Sequence, residues 1–129
     1  MYPMASLGTV AALGLYIAVT LLVGIARSKY KIAAPAMTGN LEFEKRARVQ
    51  ANTLEQLATF LPALWLCAAW IGDEWAGLGA VAWIVGRVLY ARSYYADPAK
   101  RGLGFVIAYL ATLAMLAASL VQIVRELFF

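Results

Sequence analysis

Four long apolar stretches separated by polar connections constrain this chain more than any other feature of its sequence. They lie at residues 5–26, 52–72, 75–95 and 103–125. Each has about the 20 residues, at about 1.5 Å rise apiece, that an α-helix needs to cross a hydrocarbon core. The 129 residues are 64% hydrophobic and 14% charged, against roughly 45–50% and about 25% for an average soluble domain. A domain this small has too little interior to bury so much apolar surface, so lipid is its natural solvent. The expected architecture is all-α: an integral membrane four-helix bundle forming one domain over residues 1–129. The first stretch lacks a basic flank at its start and exceeds a signal-peptide core in length, which predicts a retained span. Gly72, Asp73 and Glu74 form a link short enough to make the second and third helices an antiparallel hairpin.

Charge sets the orientation. Every Lys and Arg except Arg125 falls at the first connection (Arg27, Lys29, Lys31, Lys45, Arg46, Arg48) or the third (Arg87, Arg92, Lys100, Arg101). The other face carries Asp73, Glu74 and Glu126. The positive-inside rule therefore places both basic connections in the cytoplasm and both termini on the opposite side. Lys29, Lys31, Lys45 and Arg46 suit anionic lipid headgroups, and no nucleic-acid partner is expected. The first connection is the long one: Ala34-Pro35 and Thr38-Gly39-Asn40 read as turns, with a helical pattern resuming at Leu41-Glu42-Phe43-Glu44.

Absences narrow the chemistry. Without histidine there is no Ser-His triad and no His-ligated metal, and the single Cys67 leaves no zinc site, so no metal is expected. Cys67, mid-span among Leu66, Ala68 and Ala69, reads as packing. Trp65, Trp70, Trp75 and Trp83 read as packing or interfacial anchors, and Pro62 as a kink that neighbouring helices accommodate.

The residues that conflict with an apolar setting carry more information. Arg48, Asn52 and Glu55 stand at i, i+4 and i+7 on one stripe of the second helix, with Gln56 beside it. Arg87, Tyr90 and Tyr94 repeat the pattern on the third helix, and Arg101 follows Asp97-Pro98. A charge facing hydrocarbon costs roughly 2.5–3.5 kcal/mol, so such groups face the bundle or a polar cleft. A structural ion pair of Glu55 with Arg48 or Arg87 is one reading. The other starts from the excess of arginine: Arg48, Arg87 and Arg101 are expected to converge with Arg27, leaving net positive charge for an anion. With no protein base of the usual kind, that anion would bring its own nucleophile, a thiolate that arginine stabilises.

The segment EFEKRARVQANTLEQLATFLPALWL, with Arg48-x-Gln50-x-Asn52-x-x-Glu55, resembles the MAPEG superfamily, membrane-associated proteins in eicosanoid and glutathione metabolism. GRVLYARSYYADPAKRG is similar to the end of the third helix in the leukotriene-forming members, with Arg87, Tyr90, Tyr94 and Arg101 at matching offsets. The resemblance implies a homotrimer with glutathione as co-substrate in a cleft between subunits. It implies that Arg27, Arg48, Gln50, Asn52, Glu55, Arg87, Tyr90 and Tyr94 bind glutathione and that Arg101 stabilises its thiolate. Gln56 stands where the leukotriene-forming branch often has Tyr, and Ser28 where it has a second Arg. A general glutathione transferase or peroxidase acting on a hydrophobic small molecule or lipid therefore fits better than leukotriene synthesis. Two rival readings are a non-enzymatic lipid-binding or scaffold protein and a small multidrug transporter. The second would need a coupling carboxylate in the first span, which has no acid.

Overall fold

A computed structural model describes all of residues 1–129. It consists of α1 (Pro3–Lys29), α2 (Leu41–Trp70), α3 (Asp73–Ala96), a single 3-10 turn at Pro98–Lys100, and α4 (Gly102–Phe128). The expected spans 5–26, 75–95 and 103–125 each lie inside one helix, whereas 52–72 runs past the end of α2 to the Gly72 link. By length and apolar composition, Pro3–Lys29 and Pro98–Phe128 are long and apolar enough to cross a membrane. The more polar α2 and α3 do not meet that measure, because charged and amide groups lie along their length.

Each helix end has an identifiable cause. The Asn40 side chain accepts from the backbone N–H groups of Glu42 (2.9 Å) and Phe43 (3.2 Å), and Glu44 reaches back to accept from Gly39 N (3.0 Å). This reciprocal capping starts α2 abruptly after the loop. Gly39 sits at φ +130° and Gly72, between α2 and α3, at φ +141°, a region that suits glycine. The N-terminus of α1 has no cap of its own; instead the Asp73 carboxylate, at the start of α3, accepts from Met4 N (2.8 Å) and Ala5 N (2.9 Å). Asp97 starts the 3-10 turn by accepting from Ala99 N at 3.0 Å.

Packing is inverted relative to a soluble bundle. The buried residues of α1 include Ala5, Gly8, Ala12 and Ala26, while Leu7 (66% exposed), Val10, Ile17, Leu21 and Ile25 point outward. Small residues inside and large apolar ones outside suit helices that associate by close backbone approach while lipid covers the rim. The closest approach joins α3 to α4. A Cβ added at Gly86 would lie 2.6 Å from Ala108 N, and one added at Gly104 would overlap the backbone of Tyr90. Between α2 and α3, Phe60 and the fully buried Trp83 stack with centroids 4.2 Å apart. Cys67 is buried in the same cluster.

Gly104→Val is expected to destabilise the bundle by about 1–3 kcal/mol, the usual range for overpacking, seen as a lower thermal midpoint in detergent; an unchanged midpoint would refute the Gly86/Gly104 contact. A second expectation concerns the start of α2, outside the stretch expected to enter hydrocarbon. Hydrogen bonds from Lys45 (2.8 Å), then Arg46 (3.2 Å), hold the Glu42 carboxyl below the usual carboxylate range. A depressed native value contributes stability above the unfolded carboxylate value, near 4.5, and loses it as pH falls through the native one. Amide exchange in the first turn of α2, corrected for its intrinsic pH dependence, should therefore accelerate as the medium is acidified below that range, and more weakly in Glu42→Gln.

Candidate functional site: a basic groove at the α2–α3–α4 end

The polar stripes meet through one buried cation. Arg87 on α3 is 1% exposed, and its guanidinium donates from Nη1 to Asn52 Oδ1 (2.9 Å) and from Nη2 to Thr53 Oγ1 (2.8 Å), both on α2. The same guanidinium lies 4.2 Å from the ring centroid of Tyr90, one turn further along α3. The Thr53 hydroxyl donates its hydrogen bond to Val49 O at 2.7 Å, which leaves its oxygen free to accept from Arg87. Because Arg87 engages the Asn52 carbonyl oxygen, the amide nitrogen is turned the other way, where it donates to Glu55 Oε2 at 3.2 Å. Glu55 in turn lies 3.5 Å from Arg48. The chain Arg87–Asn52–Glu55–Arg48 runs from core to surface, and its buried end holds the amide of Asn52 in register.

Outside Arg87 opens a groove of about 490 Å³ lined by Arg48, Asn52, Tyr90, Tyr94, Arg101, Gly102, Phe105 and Val106. Two guanidinium groups and no carboxylate appear in that lining. Glu55 offsets Arg48 only in part, since both side chains are more than half exposed and such pairs are weak in solvent. Arg101 donates to Pro98 O at 2.8 Å and sits 5.9 Å from the Tyr94 ring centroid. It also occupies the N-cap position of α4, whose first turn has no side-chain cap. The partial positive charge of that helix end therefore adds to the two arginines in favouring an anion.

Of the sequence-derived set, Arg48, Asn52, Tyr90, Tyr94 and Arg101 share this groove, with Glu55 at its rim. Arg87 stands behind it. The expected convergence of Arg27 is corrected: its guanidinium donates to Ala36 O (2.7 Å) and Ile32 O (3.3 Å) and lies 4.8 Å from the Phe43 ring centroid, at the α1–loop end. Those carbonyls sit in the 30–40 loop that α1 feeds into, and they hold Arg27 away from α3 and α4. Gln50 also belongs to another edge, donating from Nε2 to the Tyr16 hydroxyl on α1 at 3.0 Å. The ion pair of Glu55 is with Arg48 on its own helix rather than with Arg87 across helices. Thr53, Tyr16 and Phe105 escaped sequence reasoning. Thr53 adjoins Asn52 and opposes Arg87, but no periodicity distinguishes it from a packing threonine.

These features define a class: a four-helix bundle with small residues at its helix contacts and an arginine-lined groove at one end. The chain belongs to the MAPEG family, whose pattern matches residues 5–121, and it is an integral membrane protein. It is 43% identical over 119 residues to Uncharacterized protein sll1147 of Synechocystis sp., covering 92% of this chain and 87% of that one. Microsomal glutathione S-transferase 2 of Homo sapiens is 38% identical over 100 residues, 76% of this chain and 68% of the relative. Leukotriene C4 synthase of Cavia porcellus is 31% identical over an alignment of 144 positions, gaps included, spanning 95% and 94% of the two chains.

Thr53→Val, which keeps shape and removes the acceptor, should cost about 1.5–3 kcal/mol, the range for a hydrogen bond to a charged group. Thermal unfolding of the detergent-solubilised protein reads this directly, and a variant as stable as the parent would remove Arg87–Thr53 from the account.

Proposed function

We propose that this chain is the subunit of a membrane glutathione transferase that joins the glutathione thiolate to a lipophilic electrophile. The observation that carries this is the groove that combines Arg48 and Arg101 with the uncapped N-terminus of α4. Glutathione at neutral pH is a peptide with two carboxylates and a thiol, and a positive pocket of this size suits it. The human and guinea-pig relatives, a glutathione transferase and a leukotriene synthase by name, support the same class.

In this proposal all four helices span the bilayer over residues 5–26, 52–72, 75–95 and 103–125. Both basic connections are cytoplasmic and both termini lie opposite. Three subunits close into a ring, and the separation of the site residues supports that arrangement. Arg48, Asn52, Tyr90, Tyr94 and Arg101 stand on one edge of the subunit, Arg27 and Gln50 stand on another, and Glu55 lies between them, paired with Arg48 and lining the cavity beside Tyr16. A head-to-tail ring sets one edge of each subunit against the other edge of the next, so the two half-sets meet only between copies. Glutathione then lies in the intersubunit cleft, with Arg87 acting through Asn52.

Arg101 is the catalytic residue in this reading. Its charge and the α4 helix end favour the thiolate over the thiol, whose free pKa is about 8.5. The thiol proton leaves to solvent. Thiolate sulfur attacks the electrophilic carbon, forming the C–S bond, and the leaving group departs with its bonding pair. The arginines bind the polar peptide at the cytoplasmic end while the electrophile arrives from lipid along apolar helix faces, so rate comes from proximity and charge stabilisation without a protein base. The same thiolate suits reduction of a lipid hydroperoxide, with a second glutathione completing the disulfide.

Arg101→Ala should lower kcat for conjugation of a chlorinated nitrobenzene by about 10²–10³, the range for loss of one oxyanion-stabilising donor, with calorimetric glutathione affinity changed only a few-fold. A full conjugation rate in that variant would overturn the role of Arg101. Glutathione binding without turnover across a broad electrophile panel would instead favour a non-enzymatic lipid-binding or scaffold protein.

A further inference from the structure

Resting on the transferase reading above, we infer that Tyr16 on α1 is a positioning residue for glutathione, acting by holding the amide of Gln50 and presenting a hydroxyl beside it.

The Gln50–Tyr16 contact is the one side-chain hydrogen bond that joins α1 to α2. Gln50 Nε2 donates to Tyr16 Oη at 3.0 Å, across 34 residues of sequence. A glutamine amide rides on several rotatable bonds, and ordering it when a ligand binds costs entropy; an anchor already present in the free protein removes that cost. Tyr16 is a firm anchor because its ring packs against two separate core clusters, one containing Leu57 and Phe60, the other Val19, Val49 and Tyr90.

The bond also decides what the pair can recognise. Tyr16 Oη accepts from Gln50, and its own proton has no acceptor within the subunit. The amide keeps its second N–H, because only one of the two is engaged. Two donors, one amide and one phenolic, thus sit side by side on the α1–α2 edge, and Tyr16 also lines an apolar cavity there with Leu54, Leu57 and Glu55. The group that suits two adjacent neutral donors is a carboxylate, of which glutathione carries two. Charge would come from elsewhere, and the Tyr16–Gln50 pair would fix direction.

The test is a double-mutant cycle on the full-length protein in detergent, with Tyr16→Phe, Gln50→Ala and the double variant. Tyr16→Phe is expected to raise both KM and Kd for glutathione about threefold to tenfold, the effect of one hydrogen bond, with kcat at saturating glutathione unchanged. The double variant should bind more weakly than Gln50→Ala by less than the Tyr16→Phe effect measured alone, because part of the tyrosine's contribution acts through the glutamine and the two effects do not fully add. A parental KM in Tyr16→Phe, or full additivity in the double variant, overturns the inference. Gln50→Glu provides a second variant that can still pair with the Tyr16 hydroxyl. It should melt with the parent yet lose glutathione tenfold or more by placing negative charge against the carboxylate, and parental affinity there also overturns it. Failure of the wild-type protein to bind glutathione is a different result, which removes the transferase reading itself.

Discussion

A guanidinium with almost no solvent contact, held by an amide oxygen, a hydroxyl and an aromatic face, organises the rest of this molecule. Arg87 has no carboxylate at hydrogen-bond distance. Desolvating a full charge is expensive, and here neutral dipoles and the Tyr90 ring offset it. The placement has two effects. It ties α2 to α3 beyond what apolar packing supplies, and it commits the Asn52 oxygen so that the remaining polar atoms of the network turn toward the groove. An acid in place of Asn52 would neutralise Arg87 and remove positive potential from the end of the bundle. An amide leaves the charge in place.

The apolar part of the structure serves the same arrangement. Small residues let helix backbones approach at Gly86 and Gly104, which brings Tyr90 on α3 against Phe105 on α4, ring centroids 6.4 Å apart. Both rings line the groove. A wider α3–α4 separation would move Arg101, carried at the head of α4, away from Tyr94 and Arg48. Close packing of residues without chemistry is thus what brings Arg48 and Arg101 to one groove.

Much of this was legible in the sequence because it depends on local rules. The helix count, the long first connection and the stripe Arg48, Asn52, Glu55 follow from apolar run length and helical periodicity. What escaped depends on how helices face one another. Arg27 and Arg101 both lie at the basic end, yet Arg27 turns into its own loop and Gln50 toward α1. Proximity along the membrane normal does not specify position around the bundle. Asp73 read as part of a link, and its service to the far-off N-terminus of α1 required the assembled structure. Trp83 was open between interface and interior, and its stacking on Phe60 places it inside.

The Asp73 contact bears on the order in which the chain can be completed. α1 is synthesised first, but the carboxylate that satisfies its leading amides lies 69 and 68 residues downstream. Until α3 has followed it into place, the first turn of α1 depends on water or headgroups for those two bonds. Asp73 supplies both bonds once the two helices are side by side. At the end of the bundle opposite the basic groove, the first and third helices are thus held in a common register by a carboxylate from the hairpin.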